Sequence, residues 1–293
     1  MALEKLTHCP ICNSDKNKLH KTVKDYTVSQ ETFDIVACKE CSFLYTNPRP
    51  NAESLGAYYK SDDYISHTNK SNNPINLIYK LARTQTLKWK YNLVSKSKPK
   101  NILDYGCGTG HFLNYCKKKG LDVNGFEPDE DARALAITEV GSVVASNSAD
   151  ITKKFDVITL WHVLEHIPNL NEVVDWLKEH LAKNGRLIIA VPNPESYDAK
   201  LFKEHWAAYD VPRHLYHFTK TTLADLATRH HFSLESVQPM KLDSFYVSLL
   251  SNQHKYSSTK PIKSFLNGLK SNSYANKEMN HSSLIYVLKH ADE

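Results

Sequence analysis

From residue 100 onward, short apolar runs alternate with stretches in which apolar positions recur every three or four residues. That rhythm of strand, helix, strand, helix builds a parallel sheet. Ile102 and Leu103 run into Asp104, and Phe112, Leu113 and Cys116 follow at helical spacing, so a first strand over 101–105 feeds a helix. Val123 and Phe126 mark a second strand over 122–127, a weak third covers 142–146, and FDVITL at 155–160 is a firm fourth. GRLIIAVPNP at 185–194 supplies the fifth, FSLESVQPM the sixth and SSLIYVLKH the terminal one. The expected fold class is therefore α/β, with a doubly wound, mostly parallel, seven-stranded Rossmann-like sheet.

Upstream, Pro74 opens a helix that runs to about Ser97, with Ile78, Leu81, Leu87, Tyr91 and Val94 on its buried side. The polar run from Ser66 to Asn73 reads as a mobile loop before it. Thr219 caps a later helix. The polar stretch from Asn252 to Ser282 reads as helix plus flexible loop, with Ile262, Phe265, Leu266 and Leu269 on one apolar face. NPRP at 47–50 breaks regular structure and closes a small N-terminal segment. Three units are expected: a zinc-ribbon-like domain over 1–50, an aromatic segment with its leading helix over 51–98, and the α/β domain over 99–293.

The strand-to-helix turn at Asp104 to Gly110 carries glycines at 106, 108 and 110. A loop of that kind turns sharply and lets a ligand touch bare backbone, while the free N–H groups of the next helix face it. The spacing is neither the G-x-G-x-x-G of a dinucleotide site nor a phosphate loop ending in Gly-Lys-Ser/Thr. About 17 positions on, Glu127 stands at the tip of the second strand, where an acid accepts hydrogen bonds from ribose hydroxyls. The competing reading is a solvated loop carboxylate. Ligands of open α/β sheets sit at the carboxyl ends of the strands, so Trp161 and His162 face the site. After the fifth strand, HWAAYDVPRHLYHF is too rich in His and aromatics for an ordinary surface loop; it reads as a functional loop or as a packed corner.

Four of the six cysteines form two C-x-x-C pairs, Cys9 with Cys12 and Cys38 with Cys41, on either side of a polar, loop-rich insert of 25 residues. Two such knuckles complete a tetrahedral thiolate shell for a structural zinc; a redox pair and ligand-free cysteines are the other readings. Cys107 and Cys116 fall in the glycine loop and its helix, as packing residues or as a thiol nucleophile. Tyr58, Tyr59 and Tyr64 form either a packing cluster between domains or a lid.

Charge and composition narrow the partners. The formal charge is +5, from 37 basic and 32 acidic residues interspersed along the chain, which reads as an ordinary surface. In the insert between the cysteine pairs, Lys16, Lys18, Lys21 and Lys24 face Asp15, Asp25, Glu31 and Asp34, a balance that argues against a nucleic-acid dock. No apolar run approaches the roughly 20 residues of a membrane span. MALEKLTHCP lacks a hydrophobic signal region, so a cytoplasmic location is expected.

The D-x-G-x-G-x-G at Asp104 to Gly110 resembles motif I of the class I S-adenosylmethionine-dependent methyltransferases, and Val-Leu-Glu-His-Ile-Pro at 163–168 resembles their fourth block. The resemblance covers about residues 75–293. With the four-cysteine segment in front, the chain is similar to zinc-containing methyltransferases that include sugar C-methyltransferases and a group found with cell-surface polysaccharide genes. The resemblance implies S-adenosylmethionine as cofactor, held by Asp104, Gly106, Cys107, Gly108, Gly110, Glu127, Pro128 and Trp161. Tyr59 and Tyr64 would form a lid, and the adenine would lie near Ser146 to Ala149, with Asp150 as the nearest acid. It further implies a substrate cluster of His166, Tyr209, Asp210 and His214: His214 as general base oriented by Asp210, with His166 and Tyr209 placing the substrate. His162 is the second candidate base. Arg213 stands where the sugar enzymes have an acid, and their large C-terminal extension is absent here. The expected activity is methyl transfer to a small sugar, sugar-nucleotide or glycan precursor by a monomer or homodimer. An RNA methyltransferase docking through the ribbon, and a non-catalytic cofactor- or glycan-binding protein, are the alternatives.

Overall fold

The computed structural model describes residues 2–59, 74–141 and 144–291, with side chains outside that description for 74–83. Tyr64, the run from Ser66 to Asn73 and the side chains of Ile78 and Leu81 lie outside the described residues. The N-terminal part holds β1 (Leu3–Glu4), β2 (Asn17–Lys24), β3 (Thr32–Cys38), β4 (Leu44–Thr46) and β5 (Arg49–Pro50). The insert between the cysteine pairs is therefore a hairpin rather than loop. Phe33, Ile35 and Ala37 alternate along β3 and are buried, while the lysines of β2 mask the pattern in the sequence.

The short helix α1 (Ala52–Leu55) and the long helix α2 (Pro74–Val94) lead into β6 (Asn101–Tyr105). After it come α3 (His111–Lys118), β7 (Asp122–Phe126), α4 (Glu130–Val140) and β8 (Val144–Ala145), the short remnant of the weak third strand. β9 (Phe155–Trp161) and α5 (Leu170–His180) follow. Leu170, Val173, Val174 and Leu177 place one buried stripe of α5 on the sheet, the i, i+3, i+4, i+7 pattern of a half-buried helix. β10 (Leu181–Pro192) starts four residues earlier than the apolar run suggested. Leu181 already pairs with Phe155, and a register shift before Arg186 absorbs the polar residues between.

Next come α6 (Tyr197–Phe202), β11 (Tyr216–His217) and α7 (Lys220–Arg229), where Thr219 and Thr222 form a reciprocal capping box. β12 (Phe232–Pro239), α8 (Asp243–Tyr256), α9 (Pro261–Glu278) and β13 (Ser283–His290) close the described chain; the stretch read as helix plus loop is a helical pair.

Seven strands form one sheet in the order β12-β13-β10-β9-β6-β7-β8. The β10-β9-β6-β7-β8 portion is parallel, and β13 runs antiparallel between β10 and β12. Residues such as Ile102, Leu103, Ile158 and Leu160 are buried because helices cover both faces. The chain winds outward from β6 to β8 and returns to start β9 on the other side of β6. This reversal opens a crevice at the carboxyl ends of β6 and β9.

The second sheet has the order β11-β4-β3-β2, so Tyr216 and His217 pair with Tyr45 and Leu44. The four-cysteine segment thus borrows its edge strand from the loop that follows the fifth strand of the large sheet. That pairing places the N-terminal segment beside the crevice.

Candidate functional site

The glycine loop lies at the end of β6 and is tied to the neighbouring strand, since the Gly106 and Cys107 N–H groups donate to the Phe126 carbonyl at 2.8 and 3.0 Å. Gly110 is held at φ +78, where a Cβ would fall 2.9 Å from the Ala136 backbone, so only glycine brings α3 this close to α4. Gly108, at φ +53, has nothing within 4 Å of where a Cβ would stand. The loop therefore presents bare backbone to open space on the crevice side.

Glu127 is buried at the tip of β7. Its Oε2 accepts from the Gly108 N–H at 2.8 Å and its Oε1 from the Asp129 N–H at 3.0 Å, which leaves lone pairs for a further donor. Burial pushes its carboxyl up from the usual range. Asp104 is buried as well, accepts from the Thr159 hydroxyl at 2.6 Å, and is pushed up to about 7 by burial. Trp161, half-buried at the end of β9, packs edge-on to Phe112, and its indole N–H has no partner among the described residues. An open glycine cradle, a strand-tip carboxylate and an orphaned indole N–H fit a polar nucleoside-type ligand. Pro128 is exposed beside them, its carbonyl accepting from Arg133 at 2.9 Å. Asp150 sits in an exposed 3-10 turn, Ser148–Asp150, that Asn147 caps. Cys107 and Cys116 are buried, and burial pushes both thiols up, which makes them packing residues and not nucleophiles. Cys107 packs against Gly125, where a Cβ would stand 2.9 Å from its sulfur.

A second cluster lies where the turn Leu164–His166 after β9 meets the segment before β11. The His166 Nδ1–H donates to the Arg213 carbonyl at 3.1 Å and the His214 Nδ1–H to the Ala208 carbonyl at 3.0 Å. These partners leave both Nε2 atoms with their lone pairs. The two rings meet edge to face with centroids 4.5 Å apart. Burial, reinforced by His214, pushes His166 down to about 4, so it is neutral at pH 7. Tyr59 brings its hydroxyl to 2.9 Å from His166 Nδ1, whereas Tyr58 is buried and donates to Glu31 at 3.1 Å. Of the described tyrosines, Tyr59 therefore reaches the cluster and Tyr58 packs the small sheet.

Two expected roles change in the structure. Asp210 does not orient His214 through Nδ1: its carboxylate is bound by Arg213 at 3.0 and 2.6 Å and lies 3.9 Å from His214 Nε2. Tyr209 is buried edge-on against Trp206 and His217, its hydroxyl pushed up to about 12 by burial. Arg213, next to His214, turns away into the protein. It also donates to Asp25 at 3.0 Å and to the Tyr58 carbonyl at 3.0 Å, joining small sheet, aromatic segment and site loop in one buried clamp.

His162 is not available as a base. It adopts φ +59, and its ring lies between two carboxylates, with Nε2 2.9 Å from Asp243 Oδ2 and Nδ1 3.3 Å from Glu165 Oε1. Burial works the other way, but Asp243 first and Glu165 second push it up to about 10, so it is an imidazolium at neutral pH. Its folded-state pKa lies above the ordinary 6.5. The stabilisation is therefore complete below about pH 6.5 and lost as pH rises through about 10. The thermal midpoint of the native protein should fall between pH 8 and 10 more steeply than that of His162→Gln, as read by calorimetry across that range; parallel curves would contradict the charged pairing.

Three contributors carry little sequence signal. Asp243 reads as a helix-start acid, and Lys90 as one more lysine on a polar helix, yet its ammonium lies 4.3 Å from the Trp161 ring centroid. Glu165, an acid between Leu164 and His166 in the fourth block, could have been suspected. It is fully buried, and one of its oxygens has no partner among the described residues.

The cysteine pairs meet as the spacing predicts. Each knuckle closes with the same bond, Asn13 N–H to Cys9 carbonyl at 3.0 Å and Ser42 N–H to Cys38 carbonyl at 3.1 Å, with Asn13 and Ser42 both at positive φ. Cys9 and Cys41 sulfurs are 3.6 Å apart, Cys12 and Cys38 3.5 Å, and all four lie within 4.8 Å of one another. A tetrahedral zinc with bonds of about 2.3 Å places its sulfurs about 3.8 Å apart. The donor set fits that ion, and the separations exceed a disulfide bond of about 2.05 Å.

Residues 76–237 match the family described as a methyltransferase domain. A ubiquinone biosynthesis O-methyltransferase of Proteus mirabilis is 27% identical over 104 residues, which cover 32% of this chain and 42% of that protein. The enzyme of the same name from Glaesserella parasuis is 26% identical over 137 residues, 41% of this chain and 58% of that one. The chain thus spans about half the length of these relatives. Among solved structures, a magnesium protoporphyrin IX methyltransferase of Synechocystis PCC 6803 with bound SAH superposes with a TM-score of 0.54 at 13% identity, covering 82% of this chain and 100% of that one. The cyclopropane synthase MmaA2 of Mycobacterium tuberculosis gives 0.53 at 14% identity over 82% and 98%. At these identities the two structures speak for the fold alone.

Proposed function

Because the chain belongs to the methyltransferase-domain family, we propose that it transfers a methyl group from S-adenosylmethionine to a hydroxyl of a small molecule. The observation that carries this reading is the open backbone at Gly108 bonded to a buried strand-tip carboxylate, Glu127. When bound, S-adenosylmethionine supplies an electrophilic methyl on a sulfonium. Glu127 accepts from the ribose hydroxyls, and the glycine loop lets its backbone approach the amino-acid part. Asp104 holds the loop through Thr159, and Trp161 offers its indole N–H. Tyr59, whose hydroxyl reaches His166, closes the crevice against water.

The acceptor lies at the His166–His214 pair. His214 Nε2 takes the acceptor's proton as methyl transfer proceeds, its ring fixed by the Ala208 carbonyl. Neutral His166, held by the Arg213 carbonyl, receives a hydroxyl hydrogen bond at its own Nε2, and Tyr209 forms a wall of the pocket. Sugars and sugar-nucleotides are the first acceptors to screen, on the resemblance to zinc-containing sugar enzymes. Hydroxylated precursors from ubiquinone biosynthesis come second, on the names of the O-methyltransferase relatives. Cys9, Cys12, Cys38 and Cys41 hold a structural zinc that leaves no coordination position open for catalysis.

Calorimetric titration of the purified protein with S-adenosylmethionine and then S-adenosylhomocysteine tests the cofactor. Micromolar, one-to-one binding is expected, weakened about tenfold or more in Glu127→Ala by loss of a charged hydrogen-bond acceptor. Absence of binding to folded, zinc-loaded protein would overturn the reading. His214→Ala should lower turnover about a hundredfold or more, measured as S-adenosylhomocysteine release with the best screened acceptor, while cofactor affinity stays near normal. Loss of cofactor binding in that variant would remove His214 from the role of base.

A further inference from the structure

The second helix of the pair after β12 is packed inside out. α8 buries Ser244, Ser248, Ser251 and Asn252 beside Val247, which joins the apolar core, and α9 buries Ser264, Asn267, Gly268, Ser271 and Ala275. Hydrogen bonds hold this small-residue seam: Asn252 donates to Ser264 at 2.7 Å, Asn272 to Ser244 at 3.0 Å, and Ser271 to Asp198 of α6 at 2.6 Å. At Gly268 a Cβ would stand 2.5 Å from the Phe245 ring.

The large apolar residues of α9 point the other way. Ile262 is 80% exposed, Phe265 56%, Leu266 50% and Leu269 46%, at i, i+3, i+4 and i+7 on one face. Lys263, Lys270 and Lys277 recur at seven-residue spacing along one flank of that face, and Lys260 and Lys263 lie 3.9 and 4.7 Å from the Tyr256 ring. Between residues 241 and 278 there are six lysines and two acids, Asp243 and Glu278, and Asp243 is bound to His162.

We propose that α9 docks on an anionic lipid bilayer, lying in the plane of the headgroups with Ile262, Phe265, Leu266 and Leu269 in the acyl boundary and its lysines on the phosphates. Helices that meet through Ser, Asn, Gly and Ala leave their apolar side chains for lipid, as membrane-embedded helices do. Basic flanks on an apolar stripe select negatively charged headgroups. An antiparallel two-fold contact with a second copy would bring the lysine row against itself, which disfavours it. Among the described residues no helix is long and apolar enough to cross a membrane, so α9 would lie on the surface.

Co-sedimentation of the full chain with vesicles tests this independently of methyl transfer. Vesicles of phosphatidylcholine with about 30 mol per cent phosphatidylglycerol should bind at least about tenfold more protein than pure phosphatidylcholine, and less as salt is raised. The double variant Phe265→Ser, Leu266→Ser alters two exposed positions and gives up the stacking of Phe265 on Phe245, 5.3 Å between centroids; it should lose about tenfold in binding with the fold retained by circular dichroism. Lys263→Gln with Lys270→Gln should lose about fivefold per lysine. No binding to the anionic vesicles, binding that survives both double variants, or a dimer in sedimentation analysis that Phe265→Ser, Leu266→Ser abolishes would each overturn the proposal.

Discussion

Arg213→Met is expected to destabilise the protein by about 3–5 kcal/mol, because it removes the charged partner of buried Asp25 and of partly buried Asp210. Arg213 and Asp25 are each 1% exposed, and the guanidinium serves Asp25, both oxygens of Asp210 and the Tyr58 carbonyl at once. Burial would raise the Asp25 carboxyl, but the Ser29 N–H and Arg213 hold it below its usual range. Without the arginine, the Thr27, Val28 and Ser29 amides would remain to hold Asp25 while Asp210 lost its partner. Lysine cannot substitute, since one ammonium cannot reproduce the planar fork that spans two carboxylates and a carbonyl. Calorimetric melts of the wild type, Arg213→Met and Arg213→Lys would show midpoints lower by on the order of 10 °C for the methionine variant. A loss below 1 kcal/mol would mean that the clamp contributes little.

Removal of metal from the four cysteines should have the other large effect. Structural zinc contributes an apparent binding energy of about 10–16 kcal/mol in isolated zinc-finger peptides. Part of that should be retained here, since Phe43 and Tyr45 also pack into the shared core. Metal analysis should find one zinc per chain. Chelation, or Cys9→Ser with Cys41→Ser, should lower the melting midpoint and raise hydrogen exchange at Tyr216 and His217, whose backbone pairs with β4. Unchanged exchange there after complete metal loss would show that the knuckles do not support the site loop.

Much of the large sheet could be read from local pattern. Asn101 to Tyr105 and Asp122 to Phe126 are short apolar runs ending in the residues that matter, Asp104 and Glu127, and the glycines between them are demanded by backbone geometry. What escaped depends on partners distant in sequence. His162 became a cation because Asp243, 81 positions away, lies against it. Asp210 belongs to Arg213 because Asp25 and Tyr58 converge on the same guanidinium, and nothing near YDVPRH announces them. In α9 the apolar spacing was legible but its direction was not: a polar seam of Ser, Asn and Gly took the inner face, against the usual rule that the apolar stripe faces the core.

The strand borrowed by the small sheet also constrains the order of events during synthesis. Residues 1–50 leave the ribosome before residues 216–217, yet the free edge of β4 is completed only by Tyr216 and His217. Until residues 216–217 have been translated, the nascent hairpin presents an unpaired strand edge, the arrangement that invites wrong partners. Early capture of metal by Cys9, Cys12, Cys38 and Cys41 would hold that hairpin in register while the rest is made. Closure of the small sheet is thus a late, long-range step, completed together with the site it helps to build.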